Sequence, residues 1–189
     1  MKHCGMAYID GRTVHDADAH IMETPDWLRE HADPDIRELL DRPGYANELA
    51  QTGDGDHGGD VDAIDAAFAR LVERHRSDEF LADEAVEVMN RKNFAATGSF
   101  LAEDRPRVLD FIGVQTQLMF NTFHNSRLYQ WEHQPDLDLA YGAARAHNRG
   151  MTEFCSVDHR LLPTCYVPLA DFERSEKMAA EAIEMGAAA

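Results

Sequence analysis

Val14-His15-Asp16-Ala17-Asp18-Ala19-His20-Ile21-Met22-Glu23 is the segment from which the rest of the chain is best read. Thr13 to Ala19 has the composition of an apolar strand that ends in alternating small and acidic residues. On a strand, alternate side chains share a face, so Asp16, Asp18 and His20 point one way and Ala17 and Ala19 the other. Two carboxylates and an imidazole on one face are costly to bury unless something neutralises them. A divalent cation does so, because carboxylate oxygen and neutral imidazole nitrogen both ligate zinc, manganese or iron. The same run also reads as an exposed strand end whose acids cap the following turn, and D-x-D-x-H alone does not choose.

Outward from this strand, Thr24-Pro25 reads as an N-cap and first-turn proline opening a short helix with Trp27, Leu28 and His31 on one side. Gly53 to Gly59 has loop composition. Asp54 to Asp60 has the acidic look of a calcium loop, but Gly58 stands where a ligand is needed. Ile64, Phe68, Leu71 and Val72 recur at helical spacing. A further helix starts after Ser77 with Leu81, Ala85, Val88 and Met89 as its apolar stripe. Asp104 to Ile112 is a short helix stopped by Gly113, and Val114 to Phe120 is a buried strand. Pro135 opens the clearest helix, with Leu137, Ala140, Tyr141, Ala144, His147, Met151 and Phe154 on one face; His147 reads as a satisfied core residue. Leu161 to Leu169 follows as a strand. Asp171 caps a helix carrying Phe172, Met178, Ala182 and Ile183, Gly186 stops it, and Ala187 to Ala189 opens one more strand. From Asp104 onward helix and strand alternate, the pattern of a parallel sheet wound with helices, and hence an α/β fold.

Composition narrows the function classes. With 44% hydrophobic and 28% charged residues in 189, the chain has the makeup of one globular domain. The formal charge of −17 would be repelled by phosphate backbones, which argues against nucleic acid as a partner. No apolar run approaches the roughly 20 residues needed to span a bilayer. Met1 to Gly5 leads into no signal-type stretch. Cys4, Cys155 and Cys165 are odd in number and far apart, which fits neither a disulfide framework nor a thiolate zinc site and makes a reducing cytoplasm the expected compartment.

VHDADAHIMETPDWL, Val14 to Leu28, resembles the opening of the "amidohydrolase 2" group of the amidohydrolase superfamily, relatives of aminocarboxymuconate-semialdehyde decarboxylase and γ-resorcylate decarboxylase. Arg107 to Val114 resembles that group's helix into its second strand, Ala143 to Asn148 its ALARAYN-type helix, and Arg160 to Leu169 its third strand. The stretches come in the family's order and span Val14 to Gly186. The resemblance implies a (β/α)8 TIM-type barrel whose first strand supplies two metal ligands, here Asp18 and His20. Asp18 departs from the more usual histidine or glutamate, which favours manganese somewhat over zinc. His147 departs from the usual tyrosine. Asp16 is then a group behind the ligands and Glu23 a residue at the pocket rim. Asn121 and His124 lie just past the second strand, on the face where barrel enzymes build active sites.

The implied protein is a metal-dependent hydrolase acting on a small organic acid, amide or lactone through metal-activated water. The alternatives are a non-oxidative decarboxylase of an aromatic or unsaturated acid, and an inactive binding or oligomerisation module. The excursion from about 21 to 104 follows the first strand and is expected to lie over the metal site as a helical lid, within one domain spanning 1–189. A complete barrel uses eight strand–helix units and about 250 residues, so this chain is expected to hold the first three to four strands. Catalytic groups and the remaining ligands would lie beyond Ala189, or a second copy or chain would complete the sheet.

Overall fold

The computed structural model describes residues 7–43, 45 and 60–189. Cys4 and the Gly53 to Gly59 loop lie outside the described residues, as does all of the calcium-like run except Asp60. The chain packs as two compact units, one from Met1–His15 and Pro43–Gln115, the other from Asp16–Arg42 and Thr116–Ala189. The excursion expected to be a single lid is therefore divided: its first part, through Arg42, packs with the sheet unit.

The sheet has the order β1 (His15–His20), β2 (Thr116–Phe120), β3 (Leu161–Pro163). β2 and β3 are parallel, with Gln117, Leu118 and Met119 opposite Leu161, Leu162 and Pro163. Between β1 and β2, Gln115 N donates to Val14 O at 2.8 Å and Ile21 N to Phe120 O at 2.9 Å, so both strands run the same way. Beyond β3, Ala188 N donates to Pro163 O and Cys165 N to Ala189 O, so the last residues lie alongside it, though the strand expected from Ala187 is not formed there. β3 itself is shorter than the expected Leu161 to Leu169. Pro163 and Pro168 carry no N–H, and the donors of Tyr166 and Leu169 go to the side chains of Asn148 and Glu132.

The sheet unit is built around one long helix. α1 (Trp27–His31) and α2 (Pro34–Arg37) follow β1; α6 (Asn125–Glu132) and α7 (Leu137–Cys155) follow β2; α8 (Phe172–Met185) follows β3. Asp136 caps α7 by accepting from Leu139 N, and the helix buries Ala140, Ala143, Ala144, Ala146, Met151 and Phe154. Its small residues admit bulky neighbours at close range. A Cβ at Gly142 would come within 2.7 Å of Ile36, and one at Gly150 within 2.7 Å of the Trp27 ring. Arg145 and Arg149 both reach Asp33, tying α7 to the α1–α2 link. α6 was not expected from the sequence, since only Leu128 and Trp131 of its eight residues face inward. α8 is capped by Asp171 and stopped by Gly186 as expected, but Phe172 (85% exposed) and Ile183 (72%) face outward while Met178 and Ala182 are buried.

The other unit holds α3 (Val61–His75), α4 (Asp78–Glu87) and α5 (Arg105–Ile112). Asp60 caps α3, Ser77 caps α4, and Gly113 at φ +88° ends α5. The core is aromatic. Phe68 meets Phe94 edge-on at 4.9 Å, and His75 stacks on Phe80 at 4.2 Å. α4 turns opposite to its expected apolar stripe: Phe80 and Glu84 are buried, Glu84 paired with Arg107 at 2.9 Å. Leu81, Ala85, Val88 and Met89 instead line an open groove with Tyr8 and Phe111. Among the described residues no helix is long and apolar enough to cross a membrane.

Candidate metal centre

Asp18 and His20 share a face of β1, and Asp18 Oδ1 lies 3.3 Å from His20 Nε2. The other ring nitrogen, Nδ1, is 2.8 Å from the carbonyl oxygen of Asn121, just past β2. A carbonyl only accepts, so Nδ1 carries the hydrogen. Nε2 is then turned toward a carboxylate oxygen of Asp18. A carbonyl or carboxylate on the far nitrogen is the usual partner of a metal-bound histidine, because it fixes ring and tautomer. Two ligands each about 2.1 Å from one cation are about 3.0–3.4 Å apart at angles of about 90–110°. The observed pair fits this span. The Asp18 side chain is 88% exposed and that of His20 39%, leaving this edge open to solvent.

Asp16 is occupied elsewhere. Its Oδ1 accepts from Asp18 N and its Oδ2 from Gln117 Nε2 on β2, both at 3.0 Å, so it braces the first strand against the second. Gln117 is itself buried, so the brace is anchored in the interior.

Glu23, expected at a pocket rim, is fully buried. Its carboxylate accepts from Thr122 N at 2.9 Å, from Phe123 N and His124 N at 3.1 Å, and from His124 Nδ1 at 3.1 Å. Burial alone would raise its pKa. The His124 hydrogen bond and charge and the Thr122 N–H outweigh burial and hold it down to about 2. His124 is buried with it, and its Nε2 has no partner. Asn121 is also buried, with its carbonyl on His20 and its amide nitrogen without a partner.

His147 faces the same interior from α7. It is buried as expected but not satisfied, since its Nδ1 has no partner. Burial lowers its pKa to about 4, against the opposing pull of Glu23, so it is neutral at pH 7.

Thr122 was missed by sequence reasoning. Its hydroxyl donates to Ile21 O at 2.6 Å and lies 3.3 Å from His20 Nδ1. Its partners are about a hundred positions away, so nothing local marks it. Among the described residues no group of three or more His, Cys, Asp or Glu side chains is placed to hold a metal ion. The centre is a two-residue edge. Compared with known protein families the chain matches none, and no curated protein matches it.

Proposed function

We infer that the chain forms the opening of a (β/α)8-barrel metalloenzyme, a hydrolase of small organic acids, amides or lactones. In this reading Asp18 and His20 hold a zinc or manganese ion at the C-terminal end of β1. The observation that carries it is the His20 ring, hydrogen-bonded through Nδ1 to Asn121 O and turned through Nε2 onto Asp18. Strand order supports the barrel. A parallel sheet running β1-β2-β3, with the 187–189 stretch beside β3, has the sequential order of a barrel, whereas doubly wound sheets reverse direction at a switch point. The pair also stands at the strand end where barrel enzymes build their sites.

When bound, such a cation brings the pKa of its water down to about 7 and polarises a substrate carbonyl. Asp18 and His20 supply two donors, and the barrel reading puts the remaining ligands on strands that follow β3. Asp16 and Asn121 fix the orientation of the pair. Asp18, the most open group of the set, meets substrate or solvent.

Isothermal titration of the chain with zinc and manganese ions tests this. One ion should bind, and Asp18→Ala and His20→Ala should each weaken it about 100-fold or more, beyond the loss typical of residues outside the ligand set. Unchanged metal stoichiometry and affinity in both variants would remove the proposal.

A further inference from the structure

Glu23 does more than fill the interior. A buried carboxylate is costly to desolvate and is kept only where donors converge on it. Here Thr122 N, Phe123 N, His124 N and His124 Nδ1 all come from a single turn, residues 121–124, between β2 and α6. From the other side of the same turn, Asn121 O accepts the His20 Nδ1 hydrogen and Thr122 Oγ1 binds Ile21 O. The turn is thus held by Glu23 on one side and orients His20 on the other. If it moved by about 1 Å, Asn121 O would leave hydrogen-bond range of Nδ1. The imidazole would then be free to take its Nε2–H form, whose hydrogen fills the position facing Asp18 that a cation would otherwise take.

We propose that Glu23 is a positioning residue for His20, acting through the 121–124 turn to hold the ring with Nδ1 protonated and Nε2 facing Asp18. Its value to a bound metal rests on the function inferred above; its effect on the ring does not. A residue that merely capped α6 would affect stability and leave the His20 tautomer alone.

Imidazole nitrogen NMR on the metal-free, 15N-histidine-labelled chain separates these roles, with the His20 signals assigned by their loss in His20→Ala. The parent chain should show a single Nδ1–H tautomer. Glu23→Gln keeps the size but places an amide donor among N–H groups, and it should give a mixture with the Nε2–H form. Zinc titration of the same variant should show affinity about 10- to 100-fold weaker. Should Glu23→Gln fail to fold, Glu23→Asp, which keeps the charge with a shorter reach, should give an intermediate tautomer ratio. His20 held as Nδ1–H in every folded variant, with only the melting temperature lowered, overturns the proposal. A shifted tautomer in a chain that binds no metal would uphold it while removing the metal reading.

Discussion

Acid should destabilise the sheet unit through His147, by an amount that can be worked out. The ring is buried, its Nδ1 has no partner, and desolvation holds its pKa at about 4 against 6.5 when exposed. Because the folded value is lowered, the unfolded chain binds the proton more readily between these two values, so stability falls as pH drops through about 6.5 and levels off below about 4. The full effect is about 3 kcal/mol, and between pH 7 and pH 5 the loss is about 2 kcal/mol. His147→Leu removes the titration. It should match the parent within about 1 kcal/mol at pH 7, since the unpartnered polar atom contributes little there. At pH 5 it should be the more stable protein. Both tryptophans, Trp27 and Trp131, lie in this unit, so their fluorescence during urea unfolding reports on it directly. The quantity to compare is the variant-minus-parent stability at the two pH values, which cancels His75 of the other unit, also held at about 4 by burial. If that difference changes by less than about 0.5 kcal/mol between pH 7 and 5, a neutral buried His147 is wrong.

Two further substitutions probe how α7 is seated. Gly150→Ala places a Cβ within 2.7–2.8 Å of the Trp27 indole, and the overpacking should cost about 1–3 kcal/mol, more than the gain of up to about 1 kcal/mol in helix propensity. A thermal melt equal to or above the parent's would contradict it. Asn148→Ala strips the Tyr166 N–H and carbonyl of their partners, bonded at 2.7 and 3.0 Å, and should cost about 2–3 kcal/mol in urea unfolding. A change under about 0.5 kcal/mol would mean that water replaces the amide without loss.

The features legible in the sequence are those encoded locally. Period-two alternation put Asp18 and His20 on one face, and the two side chains do meet. Helix ends were readable from their caps: Ser77, Asp171, Gly113 and Gly186 each stand where a helix starts or stops. The errors lie where distant partners decide. Glu23 has a surface residue's chemistry, and its burial depends on backbone donors about a hundred positions away. α4 turned over because Glu84 found Arg107 and Phe80 found His75 and the Arg91 guanidinium, which outweighed its aliphatic stripe. β3 stopped early because side chains of other helices took the backbone donors that would have extended it.

The pairing ahead of the sheet bears on the order in which the site assembles. His20 and Glu23 meet the 121–124 turn across separations of 99–102 residues, and closing so long a flexible loop costs about 4 kcal/mol in chain entropy. That cost need not fall on the site itself. Tyr8 N and Ile9 N bond the carbonyls of Phe111 and Ile112, and Gln115 N bonds Val14 O, so the chain is already closed just before both strands begin. Once those bonds exist, β1 and β2 have only to zip forward over a few residues to bring Asn121 to His20. The entropy of closure is then borne by segments that carry none of the candidate chemistry.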